Sequence, residues 1–259
     1  MTLSTALVHR RVAQVMGMPV SLAVRPPTGP PFADLPIEEG WQEALAVLRE
    51  ADRVFSTYRP DSAVSRLGRG ELTLEECPPE VAEVLALGEI ARQESGGAFD
   101  VRRSHGGRPP VLDPSGVVKG WAVSRAARAF GLVVDTDFCL SAGGDMVCRT
   151  SEPSSPPWRI GVEDPHDPRR VVAVVPIRNG ALATSGAAHR GAHLVDARTG
   201  RVPTAVASVT VVAADLMWAD IDATAAFALD EEAAAWLAAR PGRQGIVVWA
   251  DRSLQLVEG

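Results

Sequence analysis

The chain has few of the features that mark disulfide-rich, secreted or membrane-spanning proteins. Its three cysteines, Cys77, Cys139 and Cys148, form neither a CxxC pair nor a zinc-ligand spacing, so we expect buried thiols in a reducing compartment. No window approaches the roughly 18 consecutive apolar residues of a transmembrane helix. The N-terminal stretch MTLSTALVHRRVAQVMG lacks the apolar core and the cleavage site of a signal peptide. These absences predict a cytoplasmic protein without membrane insertion.

Positive charge and aromatic side chains are also scarce. The chain has 26 Lys and Arg against 32 Asp and Glu, which gives a formal net charge of −6. This balance leaves no electrostatic footprint for nucleic acid. Only 5% of the residues are aromatic, and Tyr58 is the single tyrosine. The phosphate-binding G-x-x-x-x-G-K-[ST] pattern and the hydrolase elbow G-x-S-x-G are both missing.

The segment from Ser185 to Asp196 contains the residue types of a serine hydrolase. However, Ser185, His193 and Asp196 are too close in sequence for the usual triad architecture, so we exclude that class. His193 lies between two glycine-bearing turns and close to Arg190. A structural and a catalytic role for this histidine remain equally open from its surroundings.

Apolar periodicity predicts helices early in the chain and strands in its middle. Helices are expected at Gly40–Phe55, Pro79–Glu94, Lys119–Phe130, Trp218–Leu229 and Glu231–Ala239. Strands are expected at Val12–Val24 with a break at Met16-Gly17, and at Val133–Leu140, Asp145–Arg149, Trp158–Val162, Val171–Ile177, Val206–Val212 and Gln244–Trp249. Because no βαβ alternation is evident, the fold class is predicted as α+β, with a mainly antiparallel sheet core flanked by helices. Without a linker or a repeat, residues 1–259 predict a single domain.

The stretch LDPSGVVKGW, from Leu112 to Trp121, is the most informative segment. Asp113 is followed by a Pro-Ser-Gly turn and then by Lys119-Gly120, where the helical pattern begins. A loop that opens a helix exposes backbone N–H groups and the positive end of the helix dipole, and therefore suits anions. A carboxylate beside such a loop suggests a metal or a polar ligand as well as a phosphate.

Two Gly-Gly pairs each allow a structural and a functional interpretation. Gly143-Gly144, in the motif SAGGD, lies between two predicted strands and is typical of a tight turn. Paired glycines would also let a phosphate or a ring approach the backbone closely. Gly96-Gly97 follows a predicted helix and is typical of a helix C-cap. That interpretation leaves Asp100 without an explanation.

The motif ADIDAT opens an Ala-rich helix. Acidic residues at this position could form a solvated face that the helix dipole favours. Asp220 and Thr224, however, are four residues apart and share one helical face. A carboxylate and a hydroxyl on one face are hard ligands that suit Mg²⁺. Asp222 is expected to point elsewhere, into solvent.

Taken in this order, the segments resemble the ApbE family of FAD:protein FMN transferases. The resemblance covers nearly the whole chain and runs from Met16-Gly17 through FSTYRPDSAVSRL, GGAFD, LDPSGVVKG, SAGGD, WRIGVEDP, ATSG, HLVDARTG and ADIDAT. It implies a Mg²⁺-dependent transfer of FMN from FAD to a Ser or Thr hydroxyl of a target flavoprotein, with release of AMP.

The resemblance also implies which residues form the site. The FAD-binding residues would be Met16, Tyr58, Ala98, Phe99, Asp100, Asp113, Lys119, Gly143, Gly144, Ser185, Gly186 and Leu194. The Mg²⁺ ligands would be the Asp220 carboxylate, the Thr224 hydroxyl and the backbone carbonyl of Gly116. The catalytic residues would be Asp220 and His193, with His193 activating the acceptor hydroxyl or protonating the leaving group.

The chain departs from the family pattern at three places. Only VRRSHGGRPPVL separates Asp100 from Asp113, Met18 replaces a threonine, and Ala223 stands where some members have a second aspartate. Two alternative functions remain open. One is a Mg²⁺-dependent FAD pyrophosphatase that gives FMN and AMP, which the shortened segment favours because it could admit water. The other is a non-catalytic FAD-binding module.

Overall fold

The computed structural model describes residues 8–25, 37–103, 111–132, 136–186 and 194–259. The helices are α1 (Ile37–Phe55), α2 (Ala63–Gly68), α3 (Pro79–Glu94), α4 (Ser115–Ala127), α5 (Leu216–Ala228) and α6 (Ala233–Ala238). The strands are β1 (His9–Val15), β2 (Met18–Arg25), β3 (Arg102–Arg103), β4 (Val111–Leu112), β5 (Asp137–Ala142), β6 (Asp145–Arg149), β7 (Trp158–Asp164), β8 (Asp167–Ile177), β9 (Gly180–Gly186), β10 (Val206–Ala213), β11 (Gln244–Trp249) and β12 (Leu254–Glu258).

A large antiparallel sheet organises the chain. Its strand order is β1-β2-β5-β6-β9-β10-β11-β12, and the described strands pair antiparallel throughout. Strand β2 shows why these segments form strands, because its alternate residues Val20, Leu22 and Val24 are buried while the residues between them are not. This period of two places one set of side chains in the core.

Helices cover one face of the sheet and a hairpin covers the other. Helices α4 and α5 pack against each other, and α5 lies on β9 and β10. The main core on this face includes Leu140, Val209 and Phe227. On the opposite face, the β7–β8 hairpin packs Ile160 and Val162 against the sheet. The predicted α+β class, with an antiparallel core flanked by helices, is confirmed, and the single domain stays a prediction.

Several element boundaries agree with the sequence patterns and others do not. Helix α3 begins at Pro79 and ends at Glu94 as predicted, with a proline in its first turn. Helix α4 begins at Ser115 rather than at Lys119, so the predicted loop is in fact the first helical turn. The short helix α2 and the edge strand β12 were not predicted, because each is only a few residues long.

The prediction of a solvated Asp222 is wrong. Asp222 is 0% exposed, because most of α5 is buried and its apolar residues are spread around the helix rather than confined to one face. The carboxylate forms ion pairs with Arg240 Nε at 2.9 Å and with Arg243 Nε at 2.6 Å. The two guanidinium groups balance this buried charge.

Two further features agree with the composition. Cys77, Cys139 and Cys148 are buried free thiols, as predicted. None of the helices in the described ranges is both long and apolar enough to cross a membrane.

Candidate functional site

A cavity of about 360 Å³ lies where α4, α5, the β5–β6 turn and the end of β9 meet. Its volume is within the range of small-molecule binding sites. The predicted site residues that line it are Gly116, Lys119, Gly143, Gly144, Ser185, Gly186, Leu194, Asp220 and Thr224. These residues come from segments far apart in sequence, and the fold brings them to one cavity.

A second, smaller cavity of about 30 Å³ adjoins the first. It is lined by the predicted residues Ala98, Phe99, Asp100 and Asp113. Gly116, Leu194 and Thr224 line both cavities, so these residues form the wall between them. The two cavities together therefore take in most of the predicted FAD-binding residues.

The β5–β6 turn supplies one wall of the larger cavity. Gly143 has φ 59° and Gly144 has φ 98°, and the flanking residues Ala142 and Asp145 pair across the hairpin. Both glycines occupy the left-handed region, which residues with a side chain rarely adopt. The SAGGD motif is thus both a tight turn and a cavity wall.

The DPSG segment caps and opens helix α4. The Asp113 carboxylate accepts a hydrogen bond from the Ser115 backbone N–H at 3.1 Å. Gly116 then brings the helix close to the neighbouring aromatic ring, since an added Cβ would lie 3.0 Å from Phe99 Cε2. A side chain at this position would press on Phe99, which lines the smaller cavity.

Lys119 lies between two buried carboxylates in the larger cavity. Its Nζ lies 2.5 Å from Asp145 Oδ2 and 3.1 Å from Asp220 Oδ1. The side chains of Asp145 and Asp220 are only 1% and 2% exposed. Buried charges of this kind are costly unless they are paired, so one ammonium holds two carboxylates in place.

Backbone N–H groups donate hydrogen bonds to the other oxygen of each of these two carboxylates. Asp220 Oδ2 accepts a hydrogen bond from the Gly120 N–H at 2.9 Å, and Asp145 Oδ1 accepts one from the Thr184 N–H at 3.1 Å. The short contact at Gly120 requires glycine, because an added Cβ would lie 2.8 Å from Asp220 Cβ. The Lys-Gly pair of the motif therefore supplies both a counter-ion and the space for the second helix.

The protonation of this cluster follows from its burial. Burial raises the pKa of Asp220 to about 7, against the opposing effect of Lys119 and with a further increase from Asp145. Burial alone would lower the pKa of Lys119, but the attraction of Asp220 and Asp145 outweighs it and raises that pKa. The lysine is therefore a cation at neutral pH, and the Asp220 carboxyl takes up a proton more readily than an ordinary aspartate does.

The cavity contains oxygen ligands that suit Mg²⁺, but they would fill only part of its coordination shell. Among the described residues, no three His, Cys, Asp or Glu side chains converge as a ligand group. The Asp220 carboxylate and the Thr224 hydroxyl nevertheless line the same cavity as Gly116, and Thr224 Oγ1 lies 3.0 Å from Ser185 Oγ. Mg²⁺ is commonly held by one or two carboxylates together with substrate phosphates and water. The donors present suit that mode of binding.

Two of the predicted site residues, Tyr58 and Met16, do not line either of the two cavities. Tyr58 is 96% exposed, and Met16 lies in the β1–β2 turn, packed partly against the core. His193 lies outside the described residues. Their roles stay predictions.

Several residues that line the larger cavity were not among the predicted site residues. The most important is Asp145, whose position directly after the Gly143-Gly144 turn was the available signal. Thr184, Ser208 and Glu163 also line the larger cavity. Their positions depend on how distant strands pair, which a single sequence does not reveal.

Comparison with known proteins agrees with this geometry. The model of the ApbE family matches residues 16–105 and 106–248. The chain belongs to the ApbE family. The matched ranges contain the elements that build both cavities, and they include the predicted FAD and metal residues from Met16 to Thr224.

Individual ApbE relatives are distant in sequence but similar in fold. An FAD:protein FMN transferase of Haemophilus influenzae is 24% identical, over 76% of this chain and 74% of the relative. One of Vibrio cholerae is 31% identical over 47% of this chain, and the match covers only 39% of that relative. The crystal structure of an ApbE protein from Thermotoga maritima is 20% identical, covers 97% of both chains and has a TM-score of 0.82.

Proposed function

We propose that this protein transfers FMN from FAD to a Ser or Thr hydroxyl of a target flavoprotein, depends on Mg²⁺ and releases AMP. The observation that carries the proposal is the meeting of Lys119, Asp220 and Thr224 with the Gly143-Gly144 turn in one cavity. Family membership and the names of the curated relatives support the same activity.

The reaction forms one bond to phosphorus and breaks another. The acceptor oxygen bonds to the FMN-side phosphorus of the diphosphate, and the bond from that phosphorus to the bridging oxygen breaks. The bridging oxygen leaves with AMP, and the hydroxyl proton is released. Phosphoryl chemistry of this kind needs alignment and neutralisation of charge more than covalent help from the protein.

The chain provides alignment through backbone and hydroxyl groups. The Gly143-Gly144 turn presents main chain without side chains, and an added Cβ on Gly144 would meet no atom within 4 Å. A flavin or a phosphate can therefore approach the turn closely. Ser185 and Thr224, whose hydroxyl oxygens lie 3.0 Å apart, provide donors and acceptors in the lining of the same cavity. The smaller cavity adds the carboxylates of Asp100 and Asp113, which can accept hydrogen bonds from ligand N–H or O–H groups.

Charge neutralisation falls to Lys119 and to the metal. The Lys119 ammonium lines the cavity and is held by two buried carboxylates. Mg²⁺ would be held by the Asp220 carboxylate, the Thr224 hydroxyl and the Gly116 carbonyl, and when bound it would offset the negative charge of the diphosphate oxygens. We further propose that His193 handles the proton of the acceptor hydroxyl or of the leaving group. A cytoplasmic location stays a prediction.

The test is to mix the protein with FAD, Mg²⁺ and a panel of FMN-binding domains that carry an accessible Ser or Thr residue. We expect AMP in the supernatant and a fluorescent acceptor band on a denaturing gel, in equal molar amounts. Asp220→Asn should abolish both signals, whereas Glu39→Gln, an exposed change on helix α1, should leave them intact. Release of free FMN without a labelled acceptor would indicate the pyrophosphatase instead. FAD binding without AMP would indicate a binding module.

A further inference from the structure

We propose that Asp145 is a positioning residue that shares the Lys119 ammonium with Asp220 and so weakens the competition of the lysine with a metal for the Asp220 carboxylate. The proposal rests on the Mg²⁺ site of the proposed function. It assigns a task to a buried carboxylate that is neither a metal ligand nor an FAD contact in that function.

The Lys119 ammonium lies at different distances from the two carboxylates. Nζ is 2.5 Å from Asp145 Oδ2 but 3.1 Å from Asp220 Oδ1. Among the described residues, Lys119 is the only cation within ion-pair distance of either carboxylate. The ammonium is thus shared by the two carboxylates and lies nearer to Asp145.

The fold fixes Asp145 firmly enough to act in this way. The residue follows the two-glycine turn on β6 and pairs with Ala142 of β5. Its other carboxylate oxygen accepts the Thr184 N–H of β9, so two neighbouring strands orient the side chain. Asp220 is anchored separately, through the Gly120 N–H of α4. These backbone contacts hold both carboxylates in place, so neither can move far if the lysine changes position.

Removal of the Asp145 charge would leave the lysine with one carboxylate partner fewer. With a neutral residue at position 145, Asp220 would be the one carboxylate of the described residues within ion-pair distance of the ammonium. Lys119 would then bind Asp220 more tightly and compete more strongly with a cation for the same oxygen atoms. A charge-assisted hydrogen bond of this type corresponds to a factor of about ten or more in an equilibrium constant.

The test is a double-mutant cycle measured by calorimetric titration with Mg²⁺ alone. The four proteins are the wild type, Asp145→Asn, Lys119→Gln and the double variant. Asparagine keeps an oxygen that can accept the Thr184 N–H, so the local backbone contact is preserved. We expect Asp145→Asn to weaken Mg²⁺ binding at least about tenfold more when Lys119 is present than when glutamine replaces it.

This coupling separates positioning from simple attraction between charges. If Asp145 only attracts the metal through its negative charge, its removal weakens binding by the same factor in both backgrounds, and the proposal is overturned. Unchanged Mg²⁺ binding in Asp145→Asn also overturns it, while the proposed function survives. A wild type that binds no Mg²⁺ in the absence of FAD overturns the positioning proposal, whereas the proposed function, in which the FAD phosphates complete the metal shell, is tested separately by AMP formation.

A second measurement covers the case in which Lys119→Gln does not fold. A crystal structure of metal-free Asp145→Asn should show Nζ displaced from residue 145 towards Asp220, with the present 3.1 Å contact to Asp220 Oδ1 shortened. An ammonium that keeps its position or turns to solvent contradicts the proposal. Thermal unfolding of each variant provides the check that the protein measured is folded.

Discussion

Replacement of Gly120 by alanine should push α4 and α5 apart and disturb the Asp220 carboxylate at the same time. An added Cβ at Gly120 would lie 2.8 Å from Asp220 Cβ, 2.8 Å from the Leu216 carbonyl oxygen and 2.9 Å from Met217 Cα. Carbon atoms that are not bonded prefer separations of about 3.5–4.0 Å. Two of these contacts involve main chain, so the strain cannot be relieved by a side-chain rotation.

The size of the effect follows from three contributions. Overpacking in a well-packed core costs about 1–3 kcal/mol. Loss of the Gly120 N–H to Asp220 hydrogen bond, which is 2.9 Å long, costs about 1.5–3 kcal/mol because the acceptor is charged. Alanine returns about 1 kcal/mol through its higher helix propensity. We expect the free energy of unfolding to fall by about 3 kcal/mol and Tm by roughly 6–12 °C.

Urea unfolding and Mg²⁺ titration of the folded variant measure the two consequences. Gly68→Ala is the matched control, because Gly68 is helical like Gly120 but is exposed. The atom nearest to a Cβ added at Gly68 would be Leu112 Cβ, at 3.6 Å. That control should be neutral or slightly stabilising. A Gly120→Ala protein as stable as the wild type, with undiminished Mg²⁺ affinity, would refute the close contact between α4 and α5.

Three further predictions follow from the same cluster and its surroundings. Thr224→Ala should weaken Mg²⁺ binding by about tenfold in a calorimetric titration, whereas Thr224→Ser should retain it. Asp222→Ala leaves Arg240 and Arg243 without their buried partner, so urea unfolding should show a loss of about 3 kcal/mol with unchanged AMP formation per folded molecule. Because the pKa of Asp220 is raised from 3.8 to about 7, its contribution to the stability of the metal-free protein is full below about pH 3.8 and is lost as the pH rises through about 7. Mg²⁺ needs the ionised carboxylate, so its affinity should increase from about pH 5 through about pH 7 and level off above about pH 8, and equal affinities across that range would contradict this assignment.

Local chemistry explains what could be predicted from the sequence. Helix α3 was predictable because Pro79 suits a first helical turn and Gly96 and Gly97, with φ of 60° and 90°, suit its end. The shared face of Asp220 and Thr224 follows from helical spacing, and both side chains line the larger cavity.

Long-range packing explains what could not be predicted. Asp145 reaches Lys119 because β6 lies between β5 and β9, and that strand order is set by contacts far apart in sequence. Asp222 was expected in solvent because helical spacing turns it away from Asp220, but spacing does not reveal that the face of α5 that carries Asp222 is also buried. The single tyrosine, Tyr58, is an attractive stacking residue by type, yet the structure leaves it 96% exposed.

The most direct test of the central claim is mass spectrometry of an acceptor domain after incubation with this protein, FAD and Mg²⁺. The account predicts that the acceptor gains one FMN through a phosphodiester on a Ser or Thr residue, and that one AMP appears for each acceptor labelled. Omission of Mg²⁺, or the Asp220→Asn change, should prevent both products. An unlabelled acceptor accompanied by free FMN and AMP would contradict the account.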